Sequence, residues 1–181
     1  MPRPMTLHAE LHHYAVRWPN EADTAAFFRF LDETPRAFER THLAAHFTGS
    51  AWLVSADGER VLLTHHRKLQ RWLQLGGHAD GDADLAQVAL REAEEESGLT
   101  DLQVEQKVFD LDRHWIPERG NEPGHWHYDV RYVVRATGSE AFAISEESLA
   151  LAWKPIRQLA DDPHTDDSLR RMAGKWLMRS A

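Results

Sequence analysis

The chain has 181 residues, 42% of them hydrophobic and 28% charged, which suits one domain with a sizeable core plus an added helical segment. A net charge of −8 argues against docking on the backbone of duplex nucleic acid, which needs a basic patch. The absence of cysteine excludes disulfides, thiolate zinc sites and cysteine nucleophiles.

In chain order, the first 45 residues read as helical. "PNEADTAAFFRFLDE" offers Asn20 as an N-cap and Ala26, Phe27, Phe30 and Leu31 as an apolar stripe, and a second short helix is predicted after Pro35 through "RAFERTHL". "FTGSAWLVSA", Asp57-Gly58 and "RVLLTHH" read as two strands joined by a tight hairpin, because Asp-Gly readily supplies positive φ. "RWLQL" is predicted as one short strand ending in the Gly76-Gly77 turn. From Asp84 the period becomes helical, with Leu85, Val88, Ala89 and Ala93 on one face, Asp84 and Gln87 as a capping pair and Gly98 as the stop. "LQVEQKVFDLDRHWI" and "HYDVRYVVRA" then read as strands around the loop "PERGNEPGHW". "ALAWKPI" is a last strand, and "TDDSLRRMAGKWLM" a C-terminal helix starting near Asp166 or Asp167. Apolar runs such as "SAWLVSA" fall far short of the ~20 residues a membrane span needs, and "MPRPMTLHAE" lacks the apolar core of a signal peptide. A cytoplasmic protein with no membrane partner is expected.

The last turns of the helix after Asp84 carry an unusual load. Glu92, Glu95 and Glu96 point to nearly the same side, where like charges cost about 0.2–0.5 kcal/mol per pair. A hard divalent cation such as Mg²⁺ or Mn²⁺ offsets that cost, since it prefers carboxylate oxygen and bridges to phosphate. A solvated charge run remains open on "EAEEE" alone.

The wider stretch "GGHADGDADLAQVALREAEEESGL", residues 76–99, resembles the Nudix box, with Gly77, Arg91, Glu92, Ala93, Glu95, Glu96, Gly98 and Leu99 in register. One position departs: the box places a glutamate where this chain has Ala83, and Asp82 is the simplest neighbour to take its supporting role. The chain is also similar to bacterial, MutT-like Nudix proteins that combine "LGGH.DGD" with a helical N-terminal extension. The resemblance implies an α+β fold, a Nudix α/β/α sandwich with a mixed sheet over residues 46–181, and 1–45 as an added helical segment. It implies Mg²⁺, or Mn²⁺, held by Glu92, Glu95 and Glu96, with Arg91 orienting the cluster, and metal-activated water cleaving a diphosphate linkage in a nucleoside diphosphate derivative or related compound. Glu92 is one choice of general base. "SEESLALAW" resembles the stretch from which many Nudix hydrolases present another, which points to Glu147, with Glu146 beside it. A catalytically weak nucleotide-binding or sensor domain is the alternative, whereas the isopentenyl diphosphate isomerases of this fold rely on a cysteine that this chain lacks.

Around the box, Arg67, Lys68 and Arg71 precede the glycine turn and are expected, with His78 and His127, to meet substrate phosphates, the alternative being a merely solvated hairpin. Strand alternation puts Asp110, Asp112 and His114 on one face and His125, His127 and Asp129 on another. Their spacing permits a zinc site without requiring one. Trp72, Trp115 and Trp126 offer faces for a base, with core packing as the plainer role. The expected partner is a small phosphorylated, nucleotide-derived substrate. A homodimer is compatible with the sequence and not required by it.

Overall fold

The computed structural model describes residues 6–21, 23–67, 69–144 and 148–179. Helices α1 (Leu7–Arg17) and α2 (Thr24–Glu33) come first, then strands β1 (Ala45–Val54), β2 (Arg60–His66), β3 (Arg71–Leu73) and β4 (Leu75–His78). Helix α3 (Leu85–Ser97) leads to β5 (Leu102–Ile116), β6 (His125–Ala136), β7 (Ser148–Pro155), α4 (Ile156–Asp161) and α5 (Asp167–Arg179). The strands form one mixed sheet along the path β3-β2-β1-β6-β5, with β4 beside β1 and β7 beside β2. Only β1 and β6 are paired in parallel among the described strands; the other pairs are antiparallel.

Alternation along β1 divides the sheet into two faces. Phe47, Ala51 and Leu53 join Leu11 and Tyr14 of α1, Phe27 of α2 and Val88 of α3 in one core. Gly49 lies under α3, where an added Cβ would stand 2.9 Å from the Leu85 carbonyl oxygen and from Val88, so this strand position must stay bare for the helix to seat. On the other face, Trp52 and Val54 pack with Val133, Ile156, Met172 and Trp176 in a second core under α4 and α5. Toward the start of β1 that same face turns polar, with His46, Thr48 and Ser50. The helices cover only its apolar half, and the polar half forms the floor of a cleft.

Three local expectations need correction. Residues 35–42 form turns, not a second helix. Two of their carbonyls are engaged from afar, with Phe47 N donating to Ala37 O at 2.7 Å and Gly81 N to Phe38 O at 2.8 Å, and the remaining local bonds close single turns such as Glu39 N to Arg36 O. Helix α2 begins at Thr24 after Asp23, without a side-chain cap, rather than from Asn20. "RWLQL" is split between two strands, because β3 pairs with β2 while β4 crosses to β1, and Gly76-Gly77, expected as its closing turn, lies within β4 opposite Ser50 and Gly49. The short α4 was also not foreseen; it starts directly after Pro155 and buries Ile156.

Among the described residues, no helix is long and apolar enough to cross a membrane.

Candidate active site

Local signals fix α3 at both ends. Asp84 accepts a hydrogen bond from Gln87 N at 3.1 Å, and Gly98, at φ 70°, closes the helix by donating its N–H to Glu94 O at 2.8 Å. The glutamates therefore sit at a defined height against β4. Glu96 Oε1 accepts the Gly76 amide at 2.8 Å. The Glu92 carboxylate fills the space beside Gly77, so that any Cβ there would fall on it. Gly76 is equally confined, since a Cβ would lie 2.8 Å from the Ser50 backbone. The two glycines let strand and helix close to within the reach of a carboxylate.

Ahead of the helix, Asp82 Oδ1 accepts the Asp84 amide at 2.9 Å, and Oδ2 lies 3.8 Å from Arg91 Nη1. Arg91 also stands 3.9 Å from Glu92. Of the three aspartates around Ala83, Asp82 is thus the one that reaches the arginine beside the cluster. Asp80 turns instead to a two-point pair with Arg40, which holds its carboxyl below the usual range.

The cleft beside the cluster measures about 710 Å³. Arg91, Glu92 and Glu95 form one wall with Gly76 and Gly77; His78, His114, His125 and His127 stand on another side, with Asp129 between. Arg67 and Arg71 do not line it, and Arg71 lies 3.6 Å from Asp166. Glu146, Glu147 and Lys68 lie outside the described residues. Trp72 meets His65 edge-on and carries Lys154 over its ring, while Trp115 and Trp126 pair with each other at the hairpin end.

The expectation that Asp110, Asp112 and His114 face away from His125, His127 and Asp129 is overturned by the register. Asp112 pairs with Asp129 and His114 with His127 across β5 and β6, and paired residues point the same way. Both sets therefore converge on the polar face. Asp129 Oδ1 accepts from Thr48 Oγ1 at 2.8 Å and Ser50 Oγ at 2.7 Å, and Oδ2 accepts from Arg131 Nε at 2.7 Å. Arg131 is 2% exposed and also reaches Asp110 at 3.1 Å and Asp112 at 3.3 Å. From α5, Arg171 and Lys175 complete the network with Asp110, each at 2.7 Å. Burial alone would raise the Asp110 carboxyl; Arg171, Arg131 and Lys175 more than reverse this and hold it below the usual range. Arg40, Thr48, Ser50 and Gln74, which line the cleft, and His46, which packs behind it against His78, His125 and His127, are residues the sequence reading missed. The alternation His46-Thr48-Ser50, polar within an otherwise apolar strand, was the available signal.

Two histidines of the cleft, His78 and His127, are held neutral. Burial, and after it the Arg40 charge, push His78 down to about 4, while burial and the surrounding imidazoles push His127 down to about 2. The unfolded chain protonates both near their ordinary 6.5, so between these limits it binds more protons than the folded chain. Stability is full above about pH 6.5 and declines as pH falls from there through 4, by up to about 1.4 kcal/mol per pH unit for each histidine. Thermal melts of chelator-treated protein should show a Tm that falls steadily below pH 6.5, and His78→Gln should flatten that decline. A Tm unchanged between pH 7 and pH 5 would contradict this.

Carboxylate oxygens are thus gathered over two strand glycines beside a polar cleft, in a mixed sheet flanked by helices. Residues 46–173 match the NUDIX domain, and the chain belongs to the Nudix family. Solved structures share the fold. An Ap4A hydrolase from C. elegans, solved as a binary complex, is 15% identical with a TM-score of 0.58, covering 74% of this chain and 96% of that one. A NUDIX-family hydrolase from Clostridium perfringens is 23% identical with a TM-score of 0.53, covering 75% and 98%. The NUDIX domain of Shewanella oneidensis NrtR, crystallised with ADP ribose, is 21% identical with a TM-score of 0.52, covering 84% and 97%. No curated protein sequence matches the chain.

Proposed function

We propose that this enzyme hydrolyses a diphosphate linkage in a nucleoside diphosphate derivative or related compound, using Mg²⁺ or Mn²⁺ held by Glu92, Glu95 and Glu96. The observation that carries this reading is the seating of Glu92 and Glu96 on the two glycines of β4. The bare glycine leaves room for the Glu92 carboxylate to close on β4 while the Gly76 amide anchors Glu96, and a set of carboxylates suits a hard cation that keeps several waters. Held there by Glu92, Glu95 and Glu96, such an ion would offset the diphosphate charge, polarise a phosphoryl oxygen as a Lewis acid and lower the pKa of a bound water.

The protein's own groups do the remaining work. Arg91 lies within 4 Å of Asp82 and of Glu92 and restrains the cluster from behind. Asp82 thereby takes the supporting role of the glutamate missing at Ala83. Glu92, half-buried at the cleft wall, is the group we assign to take the proton of the attacking water. Arg40, paired with Asp80, is a further cation on the cleft wall, and the neutral rings of His78 and His127 offer hydrogen bonds to a substrate beside it. The dinucleotide of the C. elegans enzyme's name and the ADP ribose bound to NrtR make nucleotide-derived diphosphates the first compounds to try.

A screen of nucleoside triphosphates, dinucleoside polyphosphates, ADP-ribose and sugar nucleotides, each with Mg²⁺ and with Mn²⁺, tests this. Turnover of at least one class that stops when the divalent ion is chelated is the expected result; no turnover of any, or turnover indifferent to chelation, contradicts it.

A further inference from the structure

Strands β1 and β6 run in parallel with His46 opposite His127, and alternation brings His125 to the same face. One ring nitrogen of each lies within 4.8 Å of the others, and the Nε2 atoms of His125 and His127 are 3.1 Å apart. His46 and His125 are deeply buried, at 2% and 3% exposure.

Two backbone carbonyls orient the rings. His46 Nδ1 lies 3.4 Å from the His42 carbonyl oxygen and His125 Nδ1 lies 2.9 Å from that of Pro123. A carbonyl can only accept, so each Nδ1 carries the hydrogen, and in the neutral ring Nε2 is left with a bare lone pair. For His46 that lone pair goes nowhere: Nε2 is buried and has no hydrogen-bond partner among the described residues. Leaving a buried polar atom unsatisfied costs about 1–3 kcal/mol, and such an atom in a native fold calls for an explanation.

We propose that His46, His125 and His127 form a binding site for one first-row transition metal ion of the zinc type, with a fourth position open to the cleft. Neutral imidazole nitrogen suits Zn²⁺ and its neighbours, whereas Mg²⁺ selects oxygen, so this centre and the glutamate cluster take ions of different chemistry. The spacing agrees. Two nitrogens bound tetrahedrally at about 2.0–2.1 Å from zinc stand about 3.3–3.4 Å apart, close to the observed His125–His127 separation. With all separations within 4.8 Å, closing the widest pair needs a movement of at most about 1.5 Å, within the reach of a ring rotation. The Nδ1–H bonds to carbonyl oxygen are the outer-shell contacts that metal-bound histidines keep. His125 and His127 line the cleft, so the open position faces its interior, where water or an anionic oxygen of a bound molecule completes the shell. The metal site does not depend on the role proposed for the glutamates.

The full chain, stripped with a chelator, is titrated with Co²⁺ in a large excess of Mg²⁺ that occupies oxygen sites. One equivalent of Co²⁺ should bind with the intense visible absorption of a tetrahedral, nitrogen-rich shell, and Zn²⁺ should bleach that band at one equivalent and raise Tm. His46→Gln and His127→Gln should each weaken binding about 100-fold or more, while Glu95→Gln should keep the band and the affinity within about twofold. A pale octahedral spectrum, Zn²⁺ without effect in the presence of Mg²⁺, or histidine variants that bind like the parent would overturn the proposal. The parent spectrum reports the ligand set directly, so a variant that fails to fold leaves the answer decidable. Failure of hydrolysis in the substrate screen with the cobalt band intact would defeat the proposed function and leave this site standing.

Discussion

Glu95→Gln and Glu96→Gln are each expected to cut divalent-metal-dependent hydrolysis about 100-fold or more while leaving the folded state almost untouched. Losing even an outer-shell partner of a bound metal ordinarily costs 10- to 100-fold, and a direct oxygen donor should cost at least as much. The stability side is set by different neighbours. Glu95 is exposed, and its substitution removes a repulsion with Glu92 three residues back together with an attraction to Arg91 four residues back, each about 0.2–0.5 kcal/mol. These offset. Glu96→Gln keeps an amide oxygen to accept the Gly76 N–H, so the anchor seen at 2.8 Å survives the loss of charge. Activity and stability therefore part company at these two positions, which a purely structural role for the acidic turn would not produce. Product release by chromatography, beside thermal melts of the same preparations, reads both. Turnover retained in both variants would defeat the assignment of the metal to this cluster.

What the sequence disclosed depended on the range of the interactions. Helix α3 was legible to its ends because Asp84, Gln87 and Gly98 act within one turn of the residues they cap. The hairpin at Asp57-Gly58 was legible for the same reason, whereas the turn expected at Gly76-Gly77 is part of strand β4, because both glycines pair with β1. By contrast, residues 35–42 carry helix-compatible composition, and their fate was decided by Phe47 and Gly81, whose amides claim the Ala37 and Phe38 carbonyls. No local pattern contains that. The histidine cluster was hidden by the same distance: His125 and His127 were visible as an alternating pair, but their partner His46 lies about eighty residues earlier and meets them only through the parallel pairing of β1 and β6. Register also explains the misplaced face of His114. Alternation assigns residues to faces within one strand, and only pairing tells which faces coincide.

The largest effect on stability is expected at Arg131, which nothing in its sequence neighbourhood marks as exceptional. Arg131→Met removes a guanidinium that hydrogen-bonds Asp129 at 2.7 Å and Asp110 at 3.1 Å and lies 3.3 Å from Asp112. Burial alone would depress the Arg131 charge; Asp129, Asp112 and Asp110 more than compensate and keep it firmly protonated. Without it, Asp110 retains Arg171 and Lys175, and Asp112 retains Arg171 and His114. Asp129 is worse off, a carboxylate at 1% exposure left with the hydroxyls of Thr48 and Ser50 and the Gln74 amide. Breaking a buried ion pair from one side typically costs about 3–5 kcal/mol, because the surviving charge has neither water nor a partner. Urea unfolding followed by tryptophan fluorescence should show a loss of that size. If the isolated charge is the cause, adding Asp129→Asn to Arg131→Met should return part of it, since a neutral amide can still accept from Thr48 and Ser50. A loss below about 1 kcal/mol for Arg131→Met, or a double variant weaker than the single one, would show that the buried charges are not coupled as their geometry requires.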